Sequence, residues 1–453
     1  MARTAIRRGL TAIGTAAILV LSLCLSTGTG PASAHGRDTG RLYVPPPNPA
    51  AVTHIADLAK SGKVRDALLL AKMVSNPQAV WFTGGTPAEV KAKARKTVAA
   101  AAKQGAIPVL VAYNIPFRDC SLYSAGGALN RAEYLAWIDA FAAGIGKSKA
   151  IVLLEPDGLG IIPFYTDLGG TQEWCQPVNS DGTPQPGASP EERFAAMNGA
   201  VDRLKQQPGV SLYLDGTHSG WLGAGDAADR LVKAGVQRAE GFFLNVSNYQ
   251  PNPQQQKYGT WISSCIAFAN NPEEGGWRLG NYGYCASQYY PASPNDFSTW
   301  GLTDQWYADN LGTAVPTTRF VVDTSRNGHG PNDMSAYAGP PYNQPADVVN
   351  TLRNGSWCNP PGRGVGVRPT TKTGVPLLDA YVWAKIPGES DGRCDIQGGA
   401  RAWDYSVYNP WNVPAAQQRT FDPLWGQVDP AAGAWFRDQA LELAKLANPP
   451  LKR

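Results

Sequence analysis

The sequence predicts an α/β protein with a parallel sheet, either a barrel or a doubly wound sheet, and three observations carry that expectation. Short apolar runs alternate with Ala-rich helical stretches in the order strand then helix. Most runs are near-continuous Val, Ile, Leu and aromatic residues, as in parallel strands buried on both faces. Polar residues follow the runs directly: Arg118 and Asp119, Glu155 to Asp157, Asp215 and His218, Asn245 and Asn248, Asp323 and Arg326, then Lys385, Glu389 and Asp391. In a parallel barrel all those strand ends face one way, so these side chains would converge on one mouth.

The strand candidates lie at 79–82, 107–113, 150–154, 210–214, 241–246, 319–322 and 378–384, and the clearest helices at 88–103, 131–144, 191–207, 227–234 and 436–447. Three segments, after Gly160, after Tyr249 and after Cys394, are long, rich in Pro and Gly and without periodicity. Loops of that length in a compact enzyme usually serve function. Cysteines in or beside all three favour ordered loops that frame a site. The last also holds a Tyr- and Trp-rich stretch at 402–412, with Trp403, Trp411 and Trp425 along its length.

The first 34 residues read as a secretory signal: Arg3, Arg7 and Arg8, an apolar run over 16–25, then Pro31-Ala32-Ser33-Ala34 as an A-x-A cleavage site. A short arm, 35–44, and one domain over 45–453 would follow, with the protein secreted and monomeric. No other stretch approaches the roughly 20 apolar residues of a membrane span. Without the signal arginines the formal charge of +4 falls to about +1, and no basic stripe indicates nucleic acid. Export agrees with the six remaining cysteines, Cys120, Cys175, Cys265, Cys285, Cys358 and Cys394, an even set suited to three disulfides with fifteen possible connectivities. With no C-x-x-C and four scattered histidines, neither a metal site nor a cofactor is expected.

Several aspartates at successive strand ends suit acetal hydrolysis, in which one carboxyl protonates the leaving oxygen and another helps water attack. Asp157 follows a buried strand, where desolvation and neighbouring carboxylates would raise its pKa, so it is the candidate general acid. Asp119 and Asp391, beside Arg118 and Lys385, are candidates to stay ionised. The 14 tryptophans favour a flat-faced ligand such as a sugar. No G-x-S-x-G elbow and no early G-x-G-x-x-G occur, against a serine hydrolase and a dinucleotide enzyme.

At these strand ends the chain resembles glycoside hydrolase family 6, the cellobiohydrolases and endoglucanases that attack cellulose with inversion. The motifs are V-A-Y-N-I-P-F-R-D-C at 111–120, L-L-E-P-D-G-L at 153–159, Y-L-D-G-T-H-S-G-W at 213–221, N-V-S-N-Y at 245–249, D-T-S-R-N-G at 323–328, W-C-N-P at 357–360 and W-A-K-I-P-G-E-S-D-G at 383–392. The resemblance implies a distorted parallel barrel of about seven strands with disulfide-tethered loops over a sugar cleft or tunnel. It assigns Asp157 as proton donor, Asp119 as its supporting carboxylate and Asp391 as candidate base, with Asp215, Tyr113, Arg118 and Arg326 in support. Trp81, Trp221 and Trp357 fall where glucose units stack, and His218, Asn248, Lys385 and Glu389 where sugar hydroxyls are bound. The implied disulfides are Cys120 with Cys175, Cys265 with Cys285, and Cys358 with Cys394. Long loops favour the likeness to bacterial exocellulases, which release cellobiose from non-reducing chain ends. The alternatives are an endo-acting member and, more distantly, a non-catalytic glucan-binding protein. The partner implied is a β-1,4-glucan chain.

Overall fold

The computed structural model describes residues 40–273, 275–340, 343–394, 421–422 and 427–451. The signal segment, the first residues of the arm, and Trp403, Trp411, Trp425 and the 402–412 stretch lie outside the described residues.

Each run of apolar residues forms a strand: β1 (Val80–Phe82), β2 (Val109–Ala112), β3 (Ala150–Leu154), β4 (Val210–Asp215), β5 (Gly241–Leu244), β6 (Arg319–Asp323) and β7 (Leu378–Val382). All pair in parallel and in chain order from β1 to β7. A doubly wound sheet reverses its strand order at a switch point; the strictly sequential order decides for the barrel. The seam between β1 and β7 has no ladder among the described residues. It is bridged by Ala79 N–H donating to Trp383 O at 2.9 Å and the Trp81 indole donating to Ala384 O at 2.7 Å.

Side chains alternate across the sheet, as the strand period of two requires. Val109, Val111, Ile151, Leu153, Tyr213, Phe243, Val321, Ala380 and Val382 fill the barrel interior. Leu110, Ala112, Val152, Leu154, Leu212, Leu214, Phe242 and Val322 face the helices outside. Burial on both faces leaves no amphipathic stripe along the strands, which is why their sequences read as unbroken apolar runs.

The helices run α1 (Pro49–Lys60), α2 (Val64–Val74), α3 (Pro87–Lys103), α4 (Arg131–Ile145), α5 (Pro190–Leu204), α6 (Ala224–Lys233), α7 (Asn252–Asn270), α8 (Gly301–Asn310), α9 (Ala346–Gly355) and α10 (Arg437–Lys445). The starts of three of the five expected from sequence have identifiable causes. Thr86 and Glu89 form a reciprocal capping box ahead of α3, with Pro87 in the first turn, while Asn130 and Ser189 cap α4 and α5. The arm joins the fold at its end, where Leu42 and Tyr43 are buried and Tyr43 N–H donates to Ile107 O at 2.9 Å.

One expectation is corrected. The segment after Tyr249, read as a long aperiodic loop, opens with the 19-residue helix α7 and later contains α8. Tyr258, Trp261, Ile262, Ser263, Ser264, Cys265, Ile266, Phe268 and Ala269 of α7 are all buried, on faces turned both to the barrel and to the Cys265–Cys285 loop. A helix covered on most sides needs no polar stripe, so its sequence shows no 3.6-residue pattern. Trp261 anchors it, with its ring 5.1 Å from that of Trp300 and its indole donating to Asp304 of α8 at 2.8 Å. Trp261→Ala should therefore lower the unfolding free energy by about 3–5 kcal/mol, read from denaturant titration followed by far-ultraviolet dichroism; a loss under about 1 kcal/mol would mean that α7 is not part of the core.

Candidate active site

The polar residues after the strands converge at the carboxyl end of the barrel, held by a set of buried carboxylates. Glu155, fully buried at the end of β3, accepts the N–H groups of Asn114 at 2.9 Å and Ile115 at 3.0 Å, beyond β2. Asp215, ending β4, accepts from Leu159 and Gly160 at 3.2 Å each and from Thr217 at 2.9 Å. Asp323, ending β6, accepts from Ser247 at 3.2 Å, Ser325 at 2.9 Å, Ala384 at 3.2 Å and Lys385 at 3.0 Å. Each carboxylate thus ties the loop after a neighbouring strand to its own. The backbone there adopts left-handed conformations at non-glycine residues, with φ of 58° at Asp119, 55° at Glu155, 63° at Asp157, 59° at Thr217 and 69° at Asn245. Such conformations cost energy and persist only where surrounding bonds over-determine them.

Asp157 stands on a turn gripped from several sides. Asp215 holds the following N–H groups, Arg193 donates to Gly158 O at 2.7 Å and Ile161 O at 2.8 Å, and Arg230 donates to Leu159 O at 2.9 Å. A residue with a Cβ at position 160 would meet the Trp221 ring at 2.5 Å, so glycine there lets the indole lie against the Asp157 turn. The Asp157 carboxyl takes no hydrogen bond from the described residues. Burial first, then the charges of Asp215, Asp119 and Asp391, push its pKa well above the usual carboxylate range. Burial likewise lifts Asp119 to about 6, opposed by Ser124 N–H donating to its carboxylate at 2.6 Å. Asp215 rises to about 6 and Glu155 to about 7 by burial, against their backbone hydrogen bonds.

Asp391 is treated oppositely. Burial alone would raise it, yet Arg326 at 2.7 Å and Lys385 at 3.0 Å hold it ionised with a pKa of about 2. Asn359 N–H donates to the same carboxylate at 2.9 Å and the Tyr249 hydroxyl at 3.4 Å. The guanidinium of Arg326 lies 4.5 Å over the Tyr249 ring. Arg118, expected beside Asp119 as a counter-ion, forms no ion pair with it among the described residues. Its guanidinium instead donates to the carbonyls of Thr83, Tyr113 and Ser124 and covers the Tyr113 ring at 4.7 Å.

The expected sugar contacts frame this centre. Trp81 meets Tyr113 edge to face at 5.5 Å. Trp221 lies 5.8 Å from His218, whose pKa burial lowers to about 3. Trp357, half-buried, pairs with Tyr123 at 6.2 Å, and Asn248 accepts from Tyr249 N–H at 2.9 Å through its side-chain oxygen. Glu389 is drawn aside to Asn48, the cap of α1, at 3.0 Å. Glu155 and Asp323 were expected at the mouth but given no role, and Arg193, Arg230, Tyr249 and Asn359 were given none either. Glu155 and Asp323 carried the one available signal, a carboxylate directly after an apolar run; the partners of the others are too distant in sequence to leave any.

Three disulfides are formed, Cys120–Cys175, Cys265–Cys285 and Cys358–Cys394. This is the pairing that the family likeness implied. The first adjoins Asp119 and the last adjoins Asp391.

Comparison with known proteins decides the family. A family model described as glycosyl hydrolases family 6 matches residues 37–447. The chain belongs to that family. It is a glycoside hydrolase. Endoglucanase 1 of Streptomyces sp. (strain KSM-9) is 33% identical over 340 residues, 74% of this chain and 70% of that one. Among solved structures, the endoglucanase Cel6 of Mycobacterium tuberculosis, in complex with a thio-linked cellobioside, aligns over 91% of this chain and 97% of its own at 29% identity, with a TM-score of 0.57. The catalytic core of the cellobiohydrolase Cel6A from Chaetomium thermophilum shares the fold at 24% identity and a TM-score of 0.57, covering 91% and 98% of the two chains.

The opposed pKa shifts set the pH dependence of stability. Glu155, Asp119 and Asp215 bind protons more tightly folded than unfolded, so their contribution is full below about pH 4 and lost as pH rises through 6 to 7. Asp391 binds its proton less tightly when folded, so its contribution is present above about pH 4 and lost as pH falls toward 2. The guanidinium unfolding midpoint should be highest near pH 4 to 5 and decline toward pH 8, with Glu155→Gln flattening the upper limb. A midpoint that climbs steadily from pH 5 to 8 would contradict these assignments.

Proposed function

We propose that this secreted hydrolase cuts β-1,4-glucosidic bonds of cellulose with inversion, releasing cellobiose from non-reducing chain ends. The observation that carries the reading is the contrast between two aspartates at the barrel mouth: burial and neighbouring carboxylates raise the pKa of Asp157, which has no cation bonded to it among the described residues, while Arg326 and Lys385 hold Asp391 well below the usual range. An acid that keeps its proton near neutral pH can protonate the glycosidic oxygen as the bond to the anomeric carbon breaks. An anion fixed nearby stabilises the positive charge that develops on the sugar.

Asp391 was the candidate base, yet a carboxylate at about 2 with both oxygens held by cations is a weak proton acceptor. Asp119, at about 6, is better matched to take the proton of the attacking water, directly or through a second water. Asp215 acts on the geometry of the acid by holding Leu159 and Gly160. Tyr113, with Arg118 across its ring, forms a rigid wall against the reacting sugar, while Trp81, Trp221 and Trp357 offer faces for glucose units on either side.

Release from chain ends is favoured by the long connection between Asp157 and α5. It is pinned rather than loose: Cys175 is bonded to Cys120, Glu173 is paired with the buried Arg230 at 2.8 Å, and short bridges join Thr166 to Gln172 and Val178 to Pro184. A fixed loop of that kind can roof a cleft. Internal cutting is the second reading, favoured by a relative at 33% identity that is named an endoglucanase.

Asp157→Ala should lower kcat on amorphous cellulose by about 10²–10⁴-fold while leaving the unfolding midpoint near wild type, and the first product should have inverted anomeric configuration by proton NMR. Cellobiose as the main soluble sugar, with slow viscosity loss on a soluble glucan, identifies chain-end action; rapid viscosity loss identifies internal cutting. An Asp157→Ala protein of undiminished activity would refute the assigned acid.

A further inference from the structure

Beyond Trp221 the surface continues into a second aromatic ring that the site as described does not use. Tyr289 lies on the segment that follows the Cys265–Cys285 bridge, remote in sequence from Trp221 and from the aspartates at the barrel mouth. Its hydroxyl donates to the main-chain carbonyl of Trp221 at 2.8 Å, and its N–H donates to the Ser287 side chain at 3.1 Å. The hydroxyl end is tied down while 44% of the residue remains exposed. What faces solvent is therefore the ring, held in one orientation.

The segment itself is built against the cleft wall. Gln288, fully buried, donates through its side-chain amide to Ser219 O at 2.9 Å and Leu222 O at 2.8 Å, spanning the loop that carries Trp221. Ser287 N–H bonds Tyr290 O at 2.7 Å, and Thr303 of α8 donates to Ser287 O at 2.7 Å. A lone exposed tyrosine needs no explanation; one whose neighbour is a buried glutamine, with its amide N–H groups bonded to two carbonyls of the Trp221 loop, is positioned. The path from the buried Gly160, through the half-buried Trp221, to the exposed Tyr289 leads outward from the Asp157 turn. A ring fixed at the end of such a path suits the apolar face of a pyranose, which stacks on aromatic rings as they do on one another.

We propose that Tyr289 forms an additional stacking site for a glucan chain, extending the cleft outward from Trp221. The occupant is the same β-1,4-linked chain that enters the cleft, so the inference rests on the function proposed above. Its purpose is to engage long chains: a chain reaching Tyr289 gains a stacking contact that a short oligosaccharide lacks. The hydroxyl serves only to orient the ring.

The test compares kcat/KM on cellohexaose with that on cellotriose for wild type, Tyr289→Ala, Tyr289→Phe and Trp277→Ala. Tyr289→Ala should lower the hexaose-to-triose ratio about threefold to tenfold, as loss of one stacking contact predicts, mainly through KM on the longer substrate. Tyr289→Phe, which keeps the ring and removes the bond to Trp221, should restore most of the ratio. Trp277, an exposed aromatic whose ring packs against Phe268 and Tyr284, should leave the ratio at the wild-type value when replaced. An unchanged ratio in Tyr289→Ala, or equal losses in the Ala and Phe variants, would overturn the stacking site and leave the hydrolase reading intact. Wild type inactive on both oligosaccharides would instead strike at the function itself.

Discussion

The mouth of this barrel depends on one repeated interaction, a buried carboxylate at a strand end accepting backbone N–H groups from the loop after a neighbouring strand. Glu155, Asp215 and Asp323 each do this, and together they connect the loops after β2, β3, β4, β5, β6 and β7. A carboxylate withdrawn from water would be costly unless its oxygens were satisfied. The loops in turn expose N–H groups that would otherwise be orphaned as the strands end. Each need meets the other, and the left-handed turns at Asp157 and Thr217 are held in place as a result.

That framework brings four aspartates to the barrel mouth with opposed pKa shifts. Their mutual repulsion and common burial would protonate most of them. Arg326 and Lys385 break the symmetry at Asp391 alone. The basic residues near the others are occupied elsewhere: Arg118 with carbonyls, Arg193 with the carbonyls behind Asp157, and Arg230 with Glu173, Asp226 and the Leu159 carbonyl. Bound to backbone carbonyls, Arg193 and Arg230 fix the turn that carries the proposed acid without forming an ion pair with it among the described residues.

The barrel closes imperfectly, and its seam is also part of the site. Trp81 on β1 bonds Ala384 just after β7, and Ala384 and Lys385 give their N–H groups to Asp323. The gap between the first and last strands is thus spanned by a side chain whose ring also faces Tyr113. Opening the seam and displacing the Trp81 ring would be one event.

The sequence by itself determined the seven strands, the helices that start at Thr86, Asn130 and Ser189, and the convergence of Asp119, Asp157, Asp215 and Asp391, because these rest on local patterns: apolar runs, capping residues and a polar residue after each strand. It left α7 unseen, because a helix buried on most faces has no amphipathic period. Only the tertiary structure decided that the pKa of Asp391 is lowered while that of Asp157 is raised, that the Arg118 guanidinium bonds carbonyls instead of pairing with Asp119, and that Tyr289 lies beside Trp221. Charge state and juxtaposition depend on partners tens to hundreds of residues away, such as Asp215 behind the Asp157 turn and Arg326 against Asp391, and distance along the chain carries no record of them.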